Sequence, residues 1–498
     1  MWGWDALNRR EMRRSDEIYP RGIPHGVLLA SVGAQREQGG SVTTDSPSFD
    51  PDGFGAEWRS AFEFVEAAVG GRVVSAEREP RWRPNFWLDV ERPDGERLPI
   101  CFRGARIEQG EENTIPHEYA CFRVLERNGI PVPRIYGLCE DPVGIVMERA
   151  PGRHDLATAT SSEERDAVRD HFIEILARIH ALPIADFEAA GLVRRTTPRA
   201  LALGDSAQGI ARFRAHRTRP DPIVEFLIDW CERHVPEHRR ECAFVTGDSG
   251  QFLFDQGRVT AMLDMELGYL GDPLADLGGL FCRDLTESMG DLDVAIERYA
   301  KASGRPVDRR VVLYHAIRFA LTTPLGTTLS LASPHVAVEY VQYLTWYLVY
   351  ARCPLELIAY REGLTLEPPV LPEERVSPYA VAHDSLQQKF EIFKTHDAFQ
   401  AYEADSLRRL ALVLRQGDRY GADLMERDLD DVEALLGFRP AGWQARDAAL
   451  SDLVEANQGE RDAELVRYLV RRIQREEAIL APAQRDLVGA RMQTIRLD

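Results

Sequence analysis

Lysine is almost absent from this sequence of 498 residues. Only Lys301, Lys389 and Lys394 are lysines among 61 basic residues, and all the others are arginines. The first 300 residues contain no lysine. A phosphate-loop lysine and a Schiff-base lysine are therefore excluded from that part of the chain. An arginine-favouring genome is the ordinary explanation, but the exclusion holds whatever the cause.

The sequence also lacks paired cysteines, long apolar stretches and an excess of positive charge. Its seven cysteines are widely spaced and include no Cys-x-x-Cys pair. This pattern favours reduced thiols in a cytoplasmic protein over a zinc ribbon or a disulfide framework. No uncharged apolar run reaches about 18 residues, so we expect no membrane-spanning helix and no membrane partner. The net charge of −19 argues against a nucleic-acid partner.

Composition and periodicity divide the chain into four regions. Two apolar strands, 85–91 and 98–103, flank a turn at 92–95, and a helix at 116–128 follows. Beyond this point the pattern is helical, apart from a short β segment at 244–264. These patterns predict an α+β fold with the following division: 1–50, an extension that we expect to be flexible; 51–149, a β-rich unit; 150–365, a helical unit that contains the β segment; and 376–498, a charged helical accessory region.

The β segment carries the residues most informative about chemistry. A tight turn at 255–258 separates two apolar strands, so a hairpin would place Gln251 roughly opposite Met262. Asp264 then lies beside Gln251, and Asp248 lies three residues further out. Oxygen ligands of this kind suit Mg²⁺, which keeps several waters and takes one or two protein carboxylates. The carboxylate that is free of metal can orient an attacking hydroxyl.

The residues from Gly247-Asp248 to the segment Gly271-Asp272-Pro273-Leu274-Ala275-Asp276-Leu277 resemble the aminoglycoside phosphotransferase and choline kinase-like family. The family pattern is His-Gly-Asp, Asn, a hairpin, Ile-Asp-Trp-Glu and Gly-Asp-Pro-x-x-Asp-Leu. Weaker similarities extend over roughly 55–350. The resemblance implies a two-lobed protein-kinase-like fold, in which 51–149 is a small nucleotide-binding N-lobe and 150–365 is a larger helical C-lobe.

The resemblance also implies roles for individual residues. Asp248 would be the catalytic aspartate that receives or orients the acceptor hydroxyl. Asp264 would be the main Mg²⁺ ligand, and Gln251 would stand in the place of the second ligand. Arg103 ends the strand where kinases keep the lysine that grips phosphate, and Glu118 would be its ion-pair partner.

Three further expectations come from the same resemblance. Backbone groups around Met147, Glu148 and Arg149 would hold the adenine of ATP. Asp276 would be structural and would hold the catalytic loop in place. His180 lies on an apolar helix face, and we expect a core histidine whose hydrogen bonds are satisfied. The cofactors implied are ATP and Mg²⁺.

The chain departs from the family pattern at several positions. Thr246 replaces the motif histidine, Gln251 replaces asparagine, and Arg103 replaces lysine. An arginine at this place can still fork onto two phosphate oxygens, although its geometry and reach differ from those of lysine. The lid segment at 80–85 contains no glycine. Its arginines, Arg81 and Arg83, are expected to be surface charges, with phosphate contact as the alternative.

The sequence therefore predicts an ATP- and Mg²⁺-dependent O-phosphotransferase that acts on the hydroxyl of a small molecule. The segments 131–133 and 146–152 are most similar to the branch associated with acyl-CoA dehydrogenases, which favours an alcohol or hydroxyacyl acceptor. An aminoglycoside-type antibiotic is the alternative acceptor. The alternative function is a pseudokinase-like nucleotide-binding or scaffolding protein without transfer activity. The C-terminal helices could pack on the larger lobe, form a homodimer or bind another partner.

Overall fold

A computed structural model describes residues 50–79, 83–106, 114–336 and 338–497. The extension predicted at 1–50 lies outside these residues, except for Asp50. Arg81 of the lid also lies outside them. The described residues confirm the predicted α+β fold: a small β-rich lobe, a larger helical lobe and an additional set of C-terminal helices.

The small lobe is a five-stranded antiparallel sheet with strand order β1-β2-β3-β5-β4 and a helix on each face. Side chains alternate between the faces, as the pleat requires. Phe102 and Val146 pack towards α1, whereas Cys101 and Met147 belong to the core on the other face. The elements of this lobe are α1 (Arg59–Val69), β1 (Arg72–Arg78), β2 (Asn85–Glu91), β3 (Arg97–Gly104), α2 (Ile115–Arg127), β4 (Ile135–Glu140) and β5 (Val143–Glu148).

The large lobe is mostly helical, and two short sheets lie against its helices. In chain order its elements are α3 (Ser162–Ile179), α4 (Ile184–Ala189), α5 (Pro198–Leu203), α6 (Ser206–His216), α7 (Pro222–Arg233), β6 (Ala243–Val245), β7 (Phe252–Asp255), β8 (Arg258–Met262), β9 (Tyr269–Gly271), α8 (Leu274–Arg283), α9 (Leu292–Ser303), α10 (Arg309–Ala332) and α11 (Tyr340–Arg361). Gly278 allows α8 to approach α10 closely, because a Cβ there would lie 2.7 Å from the backbone nitrogen of Ala316.

Helices α10 and α11 extend beyond their predicted ends. The sequence predicts helices at about 308–322 and 335–352, and these ends lie two residues before Pro324 and Pro354. Proline disfavours the interior of a helix. Both helices continue through their prolines, and both prolines are buried. Packing of α10 and α11 against each other and against neighbouring helices offsets the hydrogen bond that each proline removes.

The C-terminal helices are α12 (Ala380–Glu391), α13 (Ala398–Leu436), α14 (Trp443–Ala456) and α15 (Asp462–Leu480). Helix α15 packs against α11 and α13, and α14 packs against α7. The sequence predicts an apolar face on each of two of these helices. The face on α15 is buried and consists of Leu465, Val466, Leu469, Val470 and Ile473. The face predicted on α13, Leu407, Leu410, Ala411 and Leu414, is only partly buried, since Ala411 is buried whereas Leu407 and Leu414 are 59% and 61% exposed.

Helix α13 also reaches the small lobe. The guanidinium of Arg78, at the end of β1, lies 4.5 Å from the ring centroid of Phe399. Further along α13, the Tyr402 hydroxyl donates a hydrogen bond to Glu339 of the large lobe at 2.7 Å. The N-terminal part of one helix therefore contacts both lobes. Within the described ranges, every helix is too short or too polar to cross a membrane.

A buried ion pair joins the C-terminal helices to the large lobe. Arg352 of α11 is almost fully buried and donates to Glu477 of α15, to Glu356 and to the carbonyl oxygen of Ala490. Burial raises the pKa of Glu477, and the guanidinium of Arg352 opposes that effect. The carboxylate of Glu477 therefore depends on this arginine for charge compensation.

We expect Arg352→Ala to lower the free energy of unfolding by about 3–5 kcal/mol, because it leaves a buried carboxylate unpaired. Urea denaturation of the full chain measures the change. The matched control is Arg427→Ala, which breaks a surface pair with Asp423 one turn away on α13 and should cost much less, because solvent screens such a pair. Equal losses in the two variants would contradict the expectation.

Candidate active site

The hairpin β7–β8 forms around a two-residue turn. Gln256 and Gly257 have φ values of 47° and 75°, as a type I′ turn requires at both central positions. Phe252 pairs with Met262, so the predicted pairing of Gln251 with Met262 is wrong by one residue. The carbonyl oxygen of Gln251 instead accepts a hydrogen bond from the Leu263 nitrogen at 2.9 Å. The sequence correctly predicted the hairpin and its open end.

A buried carboxylate anchors the loop before this hairpin. Asp276 accepts hydrogen bonds from the nitrogen and the hydroxyl of Thr246 at 2.9 and 2.8 Å, and from the nitrogen of Gly247 at 3.2 Å. His180 lies 3.0 Å from the same carboxylate and 2.6 Å from the Tyr299 hydroxyl. The predicted structural roles of Asp276 and His180 are confirmed. Thr246 stands where the pattern described above has histidine, and it donates to Asp276 through both its nitrogen and its hydroxyl.

Glycine is required where this loop turns. Gly247 has a φ of 85°, and a Cβ there would lie 2.3 Å from the carbonyl oxygen of Leu267. Both the positive φ and the contact exclude a side chain. The loop can therefore carry Asp248 immediately beyond a point where two backbone segments touch.

Asp248 is held by an arginine that the sequence did not predict. Arg283, the last residue of α8, donates to Oδ2 of Asp248 at 2.8 Å, and Gln251 donates to the same oxygen at 2.7 Å. Burial raises the pKa of Asp248, and Arg283 partly opposes this. Since Arg283 stands 35 residues along the chain, only the tertiary structure brings it here. The two donors bind one oxygen and leave Oδ1 on the other side of the carboxylate.

Arg103, Glu118 and Asp264 come together between the two lobes. Arg103, on β3, donates through Nε to Glu118 and through Nη2 to Asp264, each at 2.8 Å. Glu118 is fully buried on α2 and also accepts from the Met265 nitrogen at 3.2 Å. Burial would raise the pKa of Asp264, but the combined positive charges of four nearby arginines outweigh burial, so the pKa lies below its ordinary value; these are Arg103, Arg83, Arg106 and Arg283. Asp264 is therefore ionised at neutral pH.

A second cluster, which the sequence did not predict, surrounds Glu266. Arg83, Arg106 and Thr114 all donate to its carboxylate, Arg106 at 2.6 Å and Thr114 at 3.2 Å. Arg83 is only 4% exposed, so its interpretation as a surface charge is wrong. The sequence signal was the glutamate of the Ile-Asp-Trp-Glu pattern, which Glu266 matches two residues after Asp264.

The remaining predicted site residues lie at the end of β5. Met147 is buried within the sheet, Glu148 is partly buried and Arg149 is exposed. The nitrogens of Glu148 and Arg149 already donate to the carbonyl oxygens of Arg134 and Pro99. Adenine binding by this segment stays a prediction, and these two nitrogens are engaged within the protein.

The structure places Gln251 beside Asp248, although the sequence predicted it as a second metal ligand with Asp264. Its role as a ligand stays a prediction. Within the described ranges, no three His, Cys, Asp or Glu side chains converge as a metal site. This finding leaves room for Mg²⁺, which commonly uses one or two carboxylates together with phosphate oxygens.

A cavity of about 240 Å³ lies away from these residues, between the large lobe and the C-terminal helices. Several of its charged side chains are paired with one another. Arg446 donates to Asp428 and Asp447, and Arg472 donates to Asp447. The cavity is consistent with an internal packing boundary, and the chemistry-bearing side chains lie between the lobes instead.

The residues of this cleft lie within a part of the chain that matches a known protein family. The sequence model described as "Phosphotransferase enzyme family" matches residues 80–314, a range that holds all the clustered side chains of the cleft. These 235 residues are similar to that family. The family range runs from the start of the lid to the middle of α10, and the C-terminal helices lie beyond it.

Individual proteins that this chain resembles are distant in sequence. Acyl-CoA dehydrogenase family member 10 of Mus musculus is 29% identical over 179 residues, covering 33% of this chain and 16% of that protein. Acyl-CoA dehydrogenase family member 11 of Homo sapiens is 25% identical over 252 residues, covering 45% and 28%. The chain thus spans less than a third of the length of these relatives. A macrolide 2′-phosphotransferase structure from Brachybacterium faecium is 20% identical, covers 56% of this chain and 94% of that one, and has a TM-score of 0.42.

We expect Asp276→Asn to lower the free energy of unfolding by about 3 kcal/mol, because hydrogen bonds to a buried charged acceptor are each worth about 1.5–3 kcal/mol. The matched control is Thr246→Val, which removes only the hydroxyl bond and should cost about half as much. Thermal and urea denaturation measure both variants. An Asp276→Asn variant no less stable than Thr246→Val would contradict the anchoring role.

Proposed function

We propose that the chain is an ATP- and Mg²⁺-dependent O-phosphotransferase that acts on the hydroxyl group of a small molecule. The observation that carries the proposal is the bridge made by Arg103 between Glu118 and Asp264, with Asp248 on the adjacent loop. The guanidinium of Arg103 thus pairs with one carboxylate of its own lobe, Glu118, and with one of the large lobe, Asp264. Phosphoryl transfer asks the protein mainly for positioning and charge neutralisation, and this set can supply both.

The donors in the cleft fit a metal and a triphosphate. Asp264 is partly exposed and ionised, so it can serve as a Mg²⁺ ligand, with Gln251 as a second candidate. Arg103 can bind phosphate oxygens with its planar fork, and Glu118 would keep that guanidinium in position. When bound, Mg²⁺ supplies positive charge that neutralises the phosphates.

Asp248 is the residue that we propose acts on the acceptor. Arg283 and Gln251 fix the carboxylate through Oδ2, so Oδ1 is left to accept the hydrogen bond of an acceptor hydroxyl. The acceptor oxygen would form the new bond to the γ-phosphorus as the bond from that phosphorus to ADP breaks. The hydroxyl proton would pass to Asp248.

The two lobes would have different functions. We propose that residues 51–149 bind the nucleotide and that residues 150–365 carry the catalytic loop and the hairpin. Met147 to Arg149, at the end of β5, would contact adenine through groups other than the nitrogens of Glu148 and Arg149, which are engaged in the sheet. The helices of 376–498 lie outside this machinery, and a homodimer through them stays a prediction.

For the acceptor we favour an alcohol or a hydroxyacyl compound. The support is the similarity to parts of two proteins named as acyl-CoA dehydrogenase family members. An aminoglycoside-type antibiotic is the alternative. An ATP-consumption screen over alcohols, amino alcohols, aminoglycosides and hydroxyacyl-CoA esters separates them, because only the true acceptor class accelerates ADP formation above the rate with water.

A nucleotide-binding or scaffolding protein without transfer activity is the competing function. The observation that favours it is that both key carboxylates are already bound to arginines, Asp264 to Arg103 and Asp248 to Arg283. Stabilisation by ATP that does not depend on Mg²⁺, together with no turnover in the screen, would support this alternative. Stabilisation that requires Mg²⁺ would support the phosphotransferase.

We expect Asp264→Asn to remove the Mg²⁺-dependent part of the thermal stabilisation by ATP, because the metal would lose its charged ligand. Asp248→Asn should keep that stabilisation and lower the rate of transfer at least about 100-fold, as loss of a general base typically does. Each variant serves as the control for the other. Retained turnover in Asp248→Asn, or an unchanged Mg²⁺ effect in Asp264→Asn, would refute the corresponding role.

Burial raises the pKa of Asp248 above 3.8, the ordinary pKa of aspartate, and only the ionised carboxylate accepts a proton. On acidification, kcat/KM for phosphoryl transfer should therefore begin to fall at a pH above 3.8. Arg283 opposes this rise, so Arg283→Gln should move the acidic limb of kcat/KM to still higher pH. The pH profile of the variant and the wild type measures the shift. A limb at or below pH 3.8, or a downward shift in Arg283→Gln, would exclude Asp248 as the titrating group.

A further inference from the structure

Glu266 gathers donors from three separate segments of the small lobe. Arg83 stands just before β2, Arg106 just after β3 and Thr114 just before α2. Glu266 itself lies in the large lobe, beyond the β7–β8 hairpin. The carboxylate is therefore the point at which these segments of the small lobe close onto the large lobe.

Three guanidiniums crowd around two carboxylates at this point. Arg103 contacts Asp264, while Arg83 and Arg106 contact Glu266. Burial and the nearby charge of Arg103 lower the pKa of Arg83, which shows that the positive charges are close enough to repel one another. Such a cluster stays together only where anionic oxygens compensate it.

The hydrogen-bonding capacity of Arg83 is not used up by Glu266. Its side chain is buried, and its Nη1 has no hydrogen-bond partner among the described residues. A buried guanidinium nitrogen without an acceptor costs free energy. A larger anion with more oxygens than a carboxylate would satisfy it.

We propose that Arg83 and Arg106, together with Arg103, bind the phosphate chain of a nucleoside triphosphate. Glu266 is then the internal counter-ion of Arg83 and Arg106, and both arginines leave it when the nucleotide binds. The inference rests on the proposed function, whose site it completes. It also accounts for a lid segment that has neither lysine nor glycine. Guanidinium forks take the place of the backbone nitrogens that a glycine-rich loop would present.

The exchange changes which anions the arginines compensate. In the structure the arginines compensate Asp264 and Glu266, so the cleft carries no large excess of either sign. With nucleotide, the phosphates take the arginines, and Asp264 is released towards a metal ion. Glu266 remains the acceptor for Thr114. Glu266 therefore competes with phosphate for the same two donors.

Isothermal titration of the full chain with tripolyphosphate, MgATP and adenosine tests the proposal. Arg83→Gln and Arg106→Gln should each weaken tripolyphosphate and MgATP binding about tenfold and leave adenosine binding unchanged, since adenosine has no phosphate. Glu266→Gln should tighten tripolyphosphate binding about threefold or more, because the competing charge is gone. Arg97→Gln, which removes a surface partner of Glu91 on the same sheet, is the control and should change nothing.

The outcomes separate this proposal from the proposed function. A wild-type chain that binds neither MgATP nor tripolyphosphate rejects the proposed function. Wild-type binding that is unaltered in Arg83→Gln and Arg106→Gln rejects only the arginine proposal, as does weaker tripolyphosphate binding in Glu266→Gln. If Arg83→Gln is unstable because Glu266 loses a partner, the double variant R83Q/E266Q removes both charges of that pair. It should fold and should bind tripolyphosphate less tightly than Glu266→Gln does, and equal affinity would overturn the proposal.

Discussion

Charge compensation between the two lobes is the constraint on which the rest of the cleft depends. Arg103 lies between a fully buried glutamate and a partly exposed aspartate, and its charge favours the ionised form of both. One guanidinium therefore links the sheet and α2 to the segment that follows the β7–β8 hairpin. Lysine could not do this in the same way, because a point charge has no rigid fork with which to reach two acceptors.

The interior of the large lobe holds the loop of Asp248, which has no regular secondary structure. Asp276 receives several donors from that loop, and His180 supports the carboxylate from behind. Gly247 allows the backbone to pass close to Leu267. The position of Asp248 thus follows from a buried acceptor and a missing side chain, while Arg283 sets the direction of its carboxylate.

The sequence predicted the parts of this molecule that are encoded locally. The hairpin, the apolar face of α3 and the anchoring aspartate follow from turn residues, periodicity and a short motif. Strand β1 was missed because it is a polar edge strand with only one buried residue, and the helix ends were misjudged because packing overrides proline in α10 and α11. The contacts of Glu266 could not be predicted, since Arg83 lies 183 residues away in the chain. For the same reason the sequence allowed Arg83 to be taken for a surface charge.

Helix α13 has a mechanical consequence for any cycle of opening and closing. Phe399 lies against Arg78 of the small lobe, and Tyr402, only three residues further, is bonded to Glu339 of the large lobe. A rigid rod attached to both bodies permits little rotation about the connection that follows β5. Besides the ion pairs of the cleft, separation of the lobes would have to move the cation across the aromatic ring or take the hydroxyl from its carboxylate. Opening of the cleft is therefore coupled to contacts that lie outside it, on a helix beyond the residues that match the family model.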